Sequence, residues 1–254
     1  MAHVLITGSA GGLGLMAGQL LGDQGHTVTQ HARNDQRADD ARSALPGAAG
    51  VLVGDLSTLA GMRAVAEQGG RYDAVVHNVA VGYQERQRVE TPDGLAQVFA
   101  VNVLAPYVLT ALLPRPSRLV YLSSGMHRGG NAQSLDDLNW TRRRWNGSQA
   151  YADSKLWDLV LAFAVARRWP DVLSNAVDPG WVATRMGGRG ASDDMSLGPV
   201  TQAWLAAGDD PEALTTGGHW YHQRRSETHP AASDPAVQDG LLTACAELSG
   251  VELS

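Results

Sequence analysis

Four residues, His3-Val4-Leu5-Ile6, run directly into Thr7-Gly8-Ser9-Ala10-Gly11-Gly12-Leu13-Gly14, after which Leu15, Met16, Leu20 and Leu21 recur at helical spacing. A short apolar run of this kind reads as a strand buried on both faces, the sort from which parallel sheets are made. Strand, glycine-rich turn and helix in that order leave few folds open. The turn then presents backbone N–H groups at a helix N-terminus, where a pyrophosphate binds. Glycine serves wherever the backbone must approach a phosphate closely or take φ > 0. A glycine-rich turn with no ligand is the plainer alternative.

The alternation continues along the chain. Residues 26–31, 51–56, 73–78, 118–122, 172–177 and 217–222 read as further strands, with helical stretches at 35–45, 57–68, 93–113, 149–168 and 199–207 between them. Strands separated by helices of that length predict an α/β fold. The expectation is a single-domain, doubly wound parallel sheet of about seven strands in the order 3-2-1-4-5-6-7, with helices on both faces. At 254 residues the chain suits one domain, 1–254. Within it, the glycine-rich region 185–215 is expected to form a substrate lid and 223–254 a packing tail with a helix near Pro235 to Leu248.

Composition excludes several classes. A net charge of −6 gives no field steering the whole molecule to nucleic acid. Arg142-Arg143-Arg144, between Trp140 and Trp145, are therefore expected to form a solvated loop over the site. Cys245 stands alone and cannot make an internal disulfide, strand-like residues begin at His3, and the apolar run 159–166 falls far short of the ~20 residues that span a bilayer. These point to a soluble, cytoplasmic protein. His219, His222 and His229 lack a Cys or carboxylate to complete a recognisable metal-ligand pattern, so no metal is expected.

The chemistry gathers around Tyr151 and Lys155. Four residues apart on a helix, they share a face. A free phenol ionises near pH ~10, and a nearby cation pulls that value down toward the working range. Ser124, at the carboxyl end of the fifth strand, is the hydroxyl expected to hold a carbonyl oxygen, with Ser123 as fallback. Pro106 has no N–H to offer the carbonyl four residues back. That leaves the Asn102 carbonyl free to hold a water linking Lys155 to solvent; a helix kink that Asn102 merely caps is the alternative.

At the end of the second strand, where a carboxylate would suit an adenosine ribose, the chain has Ala32 and then Arg33. A guanidinium suits a 2′-phosphate, so NADPH is expected over NADH. Arg37 either assists or sits on a solvated helix face. Asp55, followed by Leu56, is placed for an adenine contact or as a helix cap. The helix 149–168 is apolar nearly all round, which makes a second subunit a plausible cover and a homodimer a plausible assembly.

Together these residues resemble the short-chain dehydrogenase/reductase family. Thr7-Gly8-x-x-x-Gly12-x-Gly14 is similar to its cofactor loop, including Ser9 and Leu13. Asn102, Ser124, Tyr151 and Lys155 are similar to its catalytic tetrad, and Pro179-Gly180 with Val182 and Thr184 to its nicotinamide-contacting segment. The resemblance implies that Tyr151 is the acid/base and Ser124 positions the carbonyl. It further implies that Lys155 also bonds the nicotinamide ribose, and that Asn102 holds a relay water. Ser124 and Tyr151 stand 27 positions apart. That long spacing, with Asp137-Leu138-Asn139 and Ser154-Lys155-Leu156, is similar to the retinol-dehydrogenase-like branch. Where the family has Asn-Asn-Ala-Gly, this chain has His77-Asn78-Val79-Ala80, whose extra bulk is expected to crowd the cofactor ribose. The implied activity is NADPH-dependent reduction of an apolar or bulky ketone or aldehyde, or the reverse oxidation. A NAD-preferring dehydrogenase and a non-catalytic dinucleotide-binding protein are the alternatives.

Overall fold

The computed structural model describes residues 1–254. Seven strands pair in parallel: β1 (His3–Ile6), β2 (Thr27–Ala32), β3 (Gly50–Val53), β4 (Ala74–His77), β5 (Arg118–Leu122), β6 (Leu173–Asp178) and β7 (His219–Tyr221). They stand in the order β3-β2-β1-β4-β5-β6-β7. An eighth strand, β8 (Arg224–Arg225), adds antiparallel to β7. Its hairpin turn places His222 and Gln223 at φ 46° and 60°, where Gly or Asn is the usual occupant, so no turn signal marks it.

The sheet separates two cores. Leu5 faces one and its neighbours Val4 and Ile6 the other, the two-residue period of a strand buried on both sides. On the Val4 side lie α1 (Gly12–Asp23) and α7 (Val200–Ala207); α2 (Asp35–Ala44) packs on β2 and β3. On the Leu5 side lie α3 (Leu59–Gln68), α5 (Ala105–Leu112) and α6 (Gly147–Arg168). Ala203, Leu205 and Ala206 of α7 belong to the core, so that part of the 185–215 span expected as a lid is a packed helix.

Residues expected as one long helix are three pieces: α4 (Gln97–Phe99), a π turn over Ala100–Leu104, and α5. The Ala105 N–H reaches the Ala100 carbonyl five residues back. An extra residue in the turn accommodates Pro106, whose ring would crowd the carbonyl four positions earlier.

The all-round apolarity of α6 has an internal cause. Its outer face is covered by α8 (Pro235–Ser249) of the same chain, through Leu241, Leu242, Cys245 and Ala246. The segment is pinned by Tyr107 Oη donating to the Val251 carbonyl at 2.8 Å and Arg63 donating to the Ser249 carbonyl at 2.9 Å. The apolar stripe that suggested a second subunit therefore faces the chain's own last helix. No helix is long and apolar enough to cross a membrane.

Candidate active site

The strand order reverses between β1 and β4, and ligands of such sheets bind in the crevice beyond the strand ends there. A cavity of about 850 Å³ opens at that place. Gly8, Gly12 and Leu13 from the glycine turn line it, with Asn78, Val79 and Ala80 from the loop after β4. Pro179, Gly180, Val182 and Thr184 come from the loop after β6. Ser124, Tyr151 and Lys155 complete it.

The glycine turn has the shape of a cradle. Gly8 and Gly12 take φ of +65° and +58°, and a Cβ on Gly14 would lie 2.5 Å from Asn78 Nδ2. Thr7 is buried behind it and ties two strands together: its Oγ1 accepts from the N–H groups of Asn78 and Val79 at 3.0 and 3.2 Å. Ser9 also faces inward, donating to the Ile6 carbonyl at 2.8 Å and accepting from the His31 N–H at 3.0 Å. Thr7, Ser9 and Gly14 thus build the cradle from behind and do not line it. The sequence reading missed His31, whose Nδ1 accepts from the Gly8 N–H at 3.0 Å while Nε2 donates to the Gly54 carbonyl at 2.9 Å. Burial holds its pKa below the ordinary histidine value, consistent with that neutral tautomer. The bulk of Val79 packs against Gly8, 3.1 Å from where a Cβ would stand, and leaves the cavity open.

The second-strand residues fall differently from expectation. Arg33 is exposed and, like Ala32, Asp55 and Leu56, does not line the cavity. Arg37 does line it, from the first turn of α2, its Nη2 donating to the Ala10 carbonyl at 2.9 Å. Leu56 is packed in the core, and Asp55 accepts from the Ser57 N–H at 2.9 Å, leaving Thr58 to cap α3. Short loops brought Arg33 near the strand end in sequence, but the helical turn carries Arg37 back over the glycines.

At the other end, Ser124 caps the short 3₁₀ turn Gly125–Gly129 and lines the cavity. Ser123 is buried, donating to the Lys155 carbonyl at 2.8 Å, and so fixes α6 against β5. Lys155 Nζ lies 5.5 Å from the centre of the Tyr151 ring. It donates to the Leu122 carbonyl and to Asp158 Oδ2, both at 2.7 Å. Burial raises the Tyr151 pKa above the ordinary phenol value; Lys155 pulls it down, and Asp158, Asp178 and Tyr83 oppose that pull. The net direction is upward, opposite to that expected from Lys155 alone, because the phenol is buried and the lysine is paired.

Asn102 is buried and does not line the cavity. Its amide is a fastener: Oδ1 accepts from the Val81 N–H at 2.8 Å, and Nδ2 donates to the Val81 carbonyl and to Ser154 Oγ, both at 3.0 Å. It ties the loop after β4 to α6 beside Tyr151. The three-arginine loop is likewise no loose cover. Arg143 stacks 3.8 Å over Trp140 and bonds Asp137 and Asp153 at 3.2 and 3.0 Å, anchoring that loop to α6. Among the histidines, His219 lies edge-on to His127, His222 stacks on Tyr221, and no three potential ligands converge on a metal position.

Tyr83, Met126, Trp181, Met186 and Tyr221 give the cavity an aromatic and methionine wall. Trp181 is 50% exposed, and its indole N–H donates to the Gly187 carbonyl at 3.1 Å, folding the loop 181–187 on itself. Asp193 accepts from the Trp181 N–H at 2.8 Å and from Tyr221 Oη at 3.3 Å, pinning the loop to β7.

The sequence profile described as short chain dehydrogenase matches residues 2–132. An uncharacterized oxidoreductase of Emericella nidulans is 41% identical, covering 99% of this chain and 98% of its own. The short-chain dehydrogenase chyC of Penicillium rubens is 38% identical, with 100% and 99% covered. Retinol dehydrogenase 13 of Homo sapiens is a more distant match, 27% identical over 98% of this chain and 85% of its own. Among solved structures, an uncharacterized protein from Mycobacterium paratuberculosis superposes with a TM-score of 0.87 at 25% identity, covering 100% of this chain and 95% of that one. An NADPH-bound carbonyl reductase from chicken fatty liver gives 0.67 at 20% identity, with 89% and 98% covered.

Proposed function

The chain belongs to the short-chain dehydrogenase/reductase family and is an oxidoreductase using NAD(P)H, and we propose that it is an NADPH-dependent reductase of an apolar or bulky ketone or aldehyde, working also in reverse. The observation that carries this reading is one cavity lined at once by Tyr151, Lys155, Ser124 and the glycine cradle. Bound there, the dinucleotide would supply hydride to the carbonyl carbon.

The chain's own residues do the rest. Gly8, Gly12 and Leu13 at the start of α1 would hold the pyrophosphate, and Arg37 is the cation placed for a 2′-phosphate. Arg33, exposed and outside the cavity lining, is the residue the strand-end position suggested, and Ala32, Asp55 and Leu56 likewise stand outside that lining. Pro179, Gly180, Val182 and Thr184 would face the nicotinamide end. Ser124 Oγ donates to the substrate oxygen while Tyr151 Oη delivers its proton to the same atom, so that negative charge developing there meets two donors. Lys155 stabilises the phenolate left behind. Asn102 holds the β4 loop and α6 at fixed spacing and so keeps Tyr151 in place.

The solved relative named for bound NADPH supports the cofactor assignment. The aromatic and methionine wall supports an apolar substrate. Acetophenone reduction followed by NADPH absorbance tests the proposal: Tyr151→Phe is expected to lower kcat by at least ~10². Near-normal turnover in that variant would overturn it. Tight NADPH binding with no oxidation across a panel of carbonyl compounds would instead support a non-catalytic binding protein.

A further inference from the structure

One buried charge beside the site has no task in the reading above. Asp158 lies one helical turn beyond Lys155 on α6, and its Oδ2 accepts from Lys155 Nζ at 2.7 Å. The two side chains are 2% and 3% exposed. A second ammonium proton goes to the carbonyl of Leu122, the last residue of β5, immediately before Ser123 and Ser124. An ammonium has three protons, so one is left, and Lys155 borders the cavity while Asp158 does not.

The neighbours of Asp158 along α6 are Trp157, Leu159, Leu161 and Ala162, all in the apolar core. An aliphatic side chain would suit such surroundings, and a buried ion pair is weak evidence for stability as such. A function for the charge is therefore to be sought in what it touches, the lysine ammonium. The other titratable groups facing Tyr151 and Lys155 are Asp178 at the end of β6, Tyr83 from the loop after β4, whose ring lies 5.8 Å from that of Tyr151, and Tyr121 on β5 near Asp158. Asp178 accepts from the N–H groups of Gly180 and Gly125. Of these titratable groups, Asp158 is the one that bonds the lysine.

We propose that Asp158 is a positioning residue: its carboxylate clamps the Lys155 ammonium so that one N–H faces the cavity, and its negative charge keeps protons on Tyr151 and Lys155 to higher pH than a neutral side chain would. The inference rests on Tyr151 being the acid/base. Burial lifts the Asp158 carboxyl to about 6 against the opposing pull of Lys155, so the clamp carries its charge at neutral pH and above. Working as a pair, Tyr151 and Lys155 release protons in coupled steps, and a nearby carboxylate moves both steps the same way.

The test uses the full chain with and without Asp158→Asn, first free of cofactor. Phenolate ultraviolet absorbance, with Tyr151→Phe subtracted as background, is followed against pH. Ionisation of Tyr151 is expected about one pH unit lower in Asp158→Asn, with Asp158→Glu returning it toward the native value. In the loaded enzyme oxidising phenylethanol, both limbs of the kcat profile are expected to move to lower pH. An unmoved phenolate titration, even in a less stable variant, or movement to higher pH would overturn the proposal. Should Asp158→Asn not fold, Asp158→Ser carries the same two outcomes. Retained turnover in Tyr151→Phe would remove the acid/base reading, while the cofactor-free titration still reports on Asp158.

Discussion

Arg37 Nη2 donates to the carbonyl oxygen of Ala10 at 2.9 Å, which brings a cation from α2 to the lip of the glycine turn. Its other nitrogen, Nη1, pairs with Asp40 at 2.7 Å, on a side that leaves Nη2 toward Gly11. Arg37→Ala is expected to lower kcat/KM for NADPH by about tenfold or more, the scale of one charge-assisted bond, with little change for NADH. Arg33→Ala is expected to change both cofactors alike. Steady-state kinetics with each dinucleotide check this.

Adjacent serines divide two tasks. Ser124→Ala removes a donor at the cavity and is expected to cost roughly 10² in kcat, together with about 1 kcal/mol of stability from the lost cap on the Gly125–Gly129 turn. Ser123→Ala removes the bond to the Lys155 carbonyl instead, at about 1 kcal/mol of stability, with a smaller effect on kcat. Turnover, measured on both variants beside thermal unfolding, distinguishes the two.

The last helix carries stability rather than chemistry. Leu241 is fully buried between α8 and the rest of the core, away from the cavity. Leu241→Ala is expected to destabilise the fold by about 2–5 kcal/mol. Urea unfolding measures that loss, and turnover well below the melting temperature should stay near native.

His77 and His219 are both held neutral by burial, their pKa lowered to about 3. An unfolded histidine takes its proton near pH ~6.5. Their contribution to stability is thus complete above that pH and is lost as pH falls from there toward 3, because the unfolded state then binds more protons. His219→Phe, which keeps a ring against His127, is expected to reduce the slope of stability with pH near pH ~5 by up to about 1.4 kcal/mol per unit. Denaturation at a series of pH values reads the slope directly.

Much of this architecture was legible beforehand because parallel strands buried on both faces are written as short apolar runs, and glycines between β1 and α1 mark where the backbone takes φ > 0. Tyr151 and Lys155 were legible because four positions along a helix share a face, and Ser124 because it follows the carboxyl end of β5. What escaped was set by tertiary contact. Arg37 and not Arg33 borders the cavity because the turn of α2 carries it there. His31 looks like an ordinary polar residue until the fold brings its ring under the Gly8 N–H. The π turn depends on how α4 and α5 dock around Pro106, and the β7–β8 hairpin bends at two residues with no preference for it. The cover of α6 could be supplied by any apolar surface, and only the fold shows that α8 supplies it.

Because α8 seals that flank from within, each molecule carries a finished interior. Keeping that face of the central helix dry is α8's own task, so removal of α8, and nothing done to a neighbouring copy, is what should bare it to water.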